Sequence, residues 1–90
     1  MYRFSIDQDH WILRFSPKIA IETEERQEIF LSILQMGNRL SRFSHGDSFL
    51  MFSKQIGAII FEVETVPSFI LTVSTIISED NWYQQKIEKK

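Results

Sequence analysis

His10 and Arg14 stand four residues apart in HWILRF, and Arg39, Arg42 and His45 follow at three-residue intervals in NRLSRFSHGDSF. An imidazole exchanges protons near neutrality, and a guanidinium holds a phosphate with a two-pronged grip. These residue types together point to phosphodiester chemistry without a metal. Spacing alone leaves a plainer reading open. His10 and Arg14 share a face whether HWILRF is a helical turn or a strand, and Arg14 can equally cover Trp11 with its aliphatic stem. In a strand, Arg39 and Arg42 would point to opposite faces; only an irregular segment gathers them with His45. Otherwise the stretch is a solvated connector that Asp47 partly neutralises. Lys54 would extend the positive potential, as would Lys86, Lys89 and Lys90 at the end of the chain, where lysines also serve solubility.

Glu62 and Glu64 alternate with Phe61 and Val63 in GAIIFEVE, so both carboxylates project from one strand face. With Asp47 they could form an acidic docking surface for a basic partner. A catalytic carboxylate pair would need a cleft that drives their pKa values apart. There is no cysteine, which excludes disulfides and thiolate metal sites. Two histidines beside Asp7, Asp9 and Asp47 have the spacing of ordinary turns, and neither a metal nor a cofactor is expected. Phosphate-binding glycine loops, nucleophile elbows and zinc-protease helices are missing.

The elements that would position these residues form one domain over 1–90, with a polar tail from about residue 79. YRFSI reads as a short strand and IDQDH as a turn. Ser16 and Pro17 suit a helix start, and acidic Glu22, Glu24 and Glu25 favour a start near Ile21. The helix is expected from residue 17 or 21 to 36, with Ile19, Thr23, Arg26, Phe30, Ile33 and Leu34 on its inner face, Ile29 and Met36 widening that face, and Gly37-Asn38 as the stop. LSRFS, SFLMFS, GAIIFEVE and SFILTVSTII then carry strand composition. Phe69, Leu71, Val73 and Ile77 are expected on one face of the last, most central strand. The gaps between these runs are too short for parallel crossovers. The expected fold is α+β, one main helix on a three- to four-stranded antiparallel meander.

Composition bounds the rest. Eight phenylalanines in 90 residues supply a core without staples. Net charge is −2, and residues 1–45 carry six Lys/Arg and six Asp/Glu against four and six in 46–90, so the basic excess usual in nucleic-acid binders is missing. No run approaches a membrane-spanning length, and no leader peptide is evident. A cytoplasmic location is expected.

The order of elements, with GAIIFEVE followed by a short turn and FILTVSTIISEDNWYQQ, resembles the RelE/ParE-like toxin fold, and HWILRF is similar to the start of related small ribonuclease domains. The resemblance implies a RelE-like topology, a toxin-type endoribonuclease or gyrase-directed activity, and a neutralising antitoxin. It implies catalytic roles for His10, Arg14, His45 and Tyr83, with Arg39, Arg42 and Lys54 binding RNA. Ala58 stands where that family places an arginine, and STIISED ends the last strand where basic residues are expected. The alternative is a non-enzymatic protein-binding module, of the immunity-protein or phage-inhibitor kind, using Asp47, Glu62 and Glu64. A homodimer through a sheet edge or a Phe-rich surface is a third reading.

Overall fold

The computed structural model describes residues 1–78. The chain opens with a hairpin of β1 (Tyr2–Ile6) and β2 (Asp9–Phe15). Asp7 and Gln8 join them, both at positive φ, 49° and 73°, the turn geometry whose twist matches the flanking strands. HWILRF is therefore a strand. Its odd-numbered residues Trp11 and Leu13 are buried, and its even-numbered residues occupy the opposite face.

Helix α1 spans Thr23–Met36, starting later than Ser16-Pro17 suggested. Ser16 still belongs to the sheet, its N–H donating to the Val73 carbonyl at 2.9 Å. The helix is instead capped by Glu22 and Glu25 in a reciprocal box, with the Glu22 N–H donating to the Glu25 carboxylate at 3.1 Å. Ile29 and Ile33 are its buried residues. Leu34, expected on the inner face, is 42% exposed, because only a narrow stripe of this helix meets the sheet.

A 3₁₀ helix, Gly37–Arg42, follows directly. Gly37 turns the chain at φ 57°, a conformation that favours glycine. LSRFS is thus not the expected strand. Its two apolar residues, Leu40 and Phe43, stand three apart; Leu40 is fully buried and Phe43 packs against the core, a spacing that one tight turn puts on one side and an alternating strand does not.

Strands β3 (Ser48–Ser53), β4 (Gly57–Glu64) and β5 (Phe69–Ile77) form the expected antiparallel meander. The sheet as a whole differs from the expectation. Among the described residues it has five strands in the order β1-β2-β5-β4-β3, and β2 runs parallel to β5, pairing Leu13 with Leu71. The expectation of three or four strands, all antiparallel, is corrected: short gaps forbid a parallel link between successive strands, but all of α1, β3 and β4 lies between β2 and β5 and provides the crossover. The fold is α+β with a mixed sheet and β5 at its centre. The Val66–Pro67 peptide in the β4–β5 turn is cis.

The core lies between α1 and one sheet face, around Trp11, Leu13, Ile33, Phe61, Leu71 and Val73. A bulge interrupts the β4–β5 register: Phe61 pairs with Val73, but Ile60 pairs with Thr75. The extra residue, Ser74, donates its hydroxyl to the Ile60 carbonyl at 3.1 Å. That shift turns Ile76, rather than the expected Ile77, toward the core. Among the described residues the buried Trp11 indole N–H has no acceptor, a cost of about 1–3 kcal/mol that the buried ring offsets.

Candidate functional site

The sequence candidates are distributed over the sheet rather than gathered. His10 sits on the open face of β2, opposite Ser5, with 3.1 Å between its Nδ1 and the Ser5 hydroxyl oxygen. It lines a cleft with Arg3, Ile12 and Ser68. Arg14 shares its face but lies four strand residues away, about 13 Å at roughly 3.3 Å per residue. A helix would have brought the two within one turn; the strand sets them too far apart to grip one phosphate. Arg14 lines a different cleft, with Lys18, Arg26, Glu62 and Thr72.

His45 lies in the loop before β3. Its Nδ1 accepts the Thr65 backbone N–H at 3.0 Å. A backbone amide only donates, so Nδ1 is the acceptor in this contact. Thr65 follows β4 and Ser5 lies on β1, with β2 and β5 between them, so the two imidazoles are held by partners three strand spacings apart, roughly 14 Å. Lys54 follows the far end of β3, roughly 20 Å from Asp47 along the strand. Tyr83 lies outside the described residues.

The three acidic candidates are mostly engaged. Asp47 accepts the Ser44 N–H at 2.7 Å through its side chain, and its backbone carbonyl accepts the Val63 N–H at 2.8 Å. Asp47 thereby extends the β3–β4 ladder, and Ser44–Asp47 is a stapled turn. Glu64 pairs with Arg14 across β5 at 3.1 Å, while Arg14 Nε donates to the Thr72 hydroxyl at 2.9 Å. Glu62 lies on the same face, two residues away.

One arrangement gathers chemistry that the sequence did not place together. In the 3₁₀ helix, three residues make a turn, so Arg39 and Arg42 stack on one side instead of diverging as in a strand. Both line a groove of about 440 Å³ with Met36, Phe43, Phe49, Leu50 and Met51. Arg39 Nε donates to the Met36 carbonyl at 3.2 Å, closing the end of α1. Among the described residues neither guanidinium has a carboxylate partner, and the groove lining includes none. The floor is aromatic. Phe43 stacks on Phe49 at 4.4 Å between ring centroids, and Phe49 on the buried Phe61 at 4.9 Å.

The groove runs beside β3, an edge of the sheet. SFLMFS has no charge and no proline, the usual guards of an edge strand. Leu50 and Phe52 are each 46% exposed on its open side. The opposite edge, β1, carries Arg3. Sequence reasoning passed over β3 because a strand's place at an edge follows from long-range pairing; the available signal was an apolar run without charge.

No protein-family model matches the chain, nor does any curated protein or solved structure. Among the described residues, no helix is long and apolar enough to cross a membrane.

Proposed function

We propose that this chain is a protein-binding module that captures an extended segment of a partner by adding it as a sixth strand along β3. The observation that carries the reading is the uncharged edge strand Ser48–Ser53, with exposed Leu50 and Phe52 along it and, beside it, an apolar, arginine-lined groove to which Leu50 also contributes. Free N–H and C=O groups along such an edge supply affinity, and flanking pockets supply selectivity. The acidic surface expected for a binding module is replaced here by the edge, since Asp47 and Glu64 are engaged internally. The test is binding of a labelled, extended apolar hexapeptide to the wild type and to Leu50→Lys. Binding lost in the variant, with the fold intact by circular dichroism, supports strand addition; equal binding counts against it.

A second reading keeps the RNA-directed, toxin-like activity. It is supported by the cleft where Arg14, Lys18 and Arg26 meet four hydroxyl residues, Ser16, Thr72, Ser74 and Thr75, a suitable surface for phosphate oxygens. The RelE-like topology belongs with this reading. RNA cleavage assayed with wild type, His10→Ala and His45→Ala tests it. Absence of cleavage and of low-salt RNA affinity would remove it.

A further inference from the structure

We infer that the segment received by β3 is acidic as well as apolar: on its groove-facing side it carries a glutamate or aspartate two residues from an apolar anchor. The inference rests on the strand-addition reading and specifies its partner. Side chains of an added strand alternate between the two sheet faces. On the open face they meet Leu50 and Phe52, which favours apolar residues there. On the helix side they enter the groove, where successive positions fall about 6.6 Å apart.

The groove has two chemically different parts. Met36, Phe43, Phe49 and Met51 form an apolar wall, and Arg39 and Arg42 form a cationic one. Stacking by one 3₁₀ turn sets the two guanidinium stems about 6 Å apart, a spacing matched to one carboxylate reached from the adjacent strand. Arg39 is braced on Met36, so its charge is offered with reduced loss of side-chain freedom. A carboxylate held by a guanidinium in a half-desolvated groove makes the stronger, charge-assisted kind of hydrogen bond.

A second copy of this chain fits less well. Its own edge, SFLMFS, contains no carboxylate, and the adjoining Asp47 is occupied by Ser44. Pairing two β3 strands would press apolar side chains against four arginines, two from each copy, that have no carboxylate partner among the described residues, and covering such charge is costly.

Three capped, fluorescent hexapeptides of alternating apolar pattern, differing only in Glu, Gln or Lys at a groove-side position, provide the test by anisotropy. The position is scanned over both groove-side sites. The expected result is Glu tighter than Gln by about tenfold, with Lys weakest and the Glu advantage shrinking as salt rises. The double variant Arg39→Gln plus Arg42→Gln is expected to bind Glu and Gln peptides alike. Equal binding of Glu and Gln peptides to the wild type, both lost in Leu50→Lys, overturns the acidic preference and leaves strand addition standing. No binding of any peptide overturns both. Concentration-dependent dimers that dissociate in Leu50→Lys assign the edge to a second copy and overturn the acidic partner.

Discussion

The rings of Phe43 and Phe49 lie 4.4 Å apart at 18°, so the loop after the 3₁₀ helix is seated on the edge strand through aromatic stacking. This contact and the next, Phe49 on Phe61, link the groove floor to the core. Stability should therefore fall steeply inward along the stack. Phe61→Ala, at a fully buried position, is expected to lose about 3–5 kcal/mol, a large part of a small domain's total. Phe43→Ala, at the outer end, is expected to lose less than half of that. Urea unfolding of both variants checks the gradient; equal losses would mean the stack does not join groove to core.

Arg14 and Glu64 bridge β2 to β4 over the central strand. Their side chains are 50% and 39% exposed, so water and salt screen most of the attraction. Glu64→Gln is expected to change stability by less than about 1 kcal/mol, with the difference fading in high salt. A larger loss in urea unfolding that persists at high salt would show that the bridge is more than a surface pair.

The His45 ring bonds to the Thr65 amide rather than to any catalytic partner. His45→Ala is expected to cost about 1 kcal/mol by removing that bond and to loosen the Ser44–Asp47 turn that leads into β3. Chemical denaturation gives the first quantity. Faster amide exchange at Gly46, Asp47 and Thr65 reports the second. His45→Ala with exchange at those three amides unaltered would contradict a role for the His45–Thr65 bond in holding the turn.

Glu22 and Glu25 replace Ser16 as the helix start. Glu22→Ala is expected to destabilise the domain by about 1 kcal/mol, whereas Ser16→Ala should do little to helix content. The two melting curves, compared by far-ultraviolet circular dichroism, distinguish the starts; the reverse ranking would restore Ser16 as the cap.

Local signals in the sequence carried much of the fold. Alternation in GAIIFEVE and FILTVSTII identified β4 and a central β5, and Gly37 marked the helix end, because each depends on nearby residues. Long-range pairing was not legible. That β2 would join β5 in parallel, and so leave β3 at an edge, depends on contacts across most of the chain. The Ser74 bulge was also hidden, since one added residue reverses the faces of Ile76 and Ile77 without a mark in composition. The histidines and arginines were visible as residue types, but their distances followed from whether HWILRF and NRLSR became strand or 3₁₀ helix. Strand geometry separated His10 from Arg14, and the 3₁₀ turn united Arg39 with Arg42.

The central claim is that β3 is the binding edge, and amide hydrogen exchange over both sheet edges tests it most directly. Spectra are compared with and without a saturating glutamate-bearing peptide. The account predicts slowed exchange at alternate amides of Ser48–Ser53, those facing outward, with Tyr2–Ile6 unchanged. Peptide bound with protection on β1, or with none on β3, would contradict it.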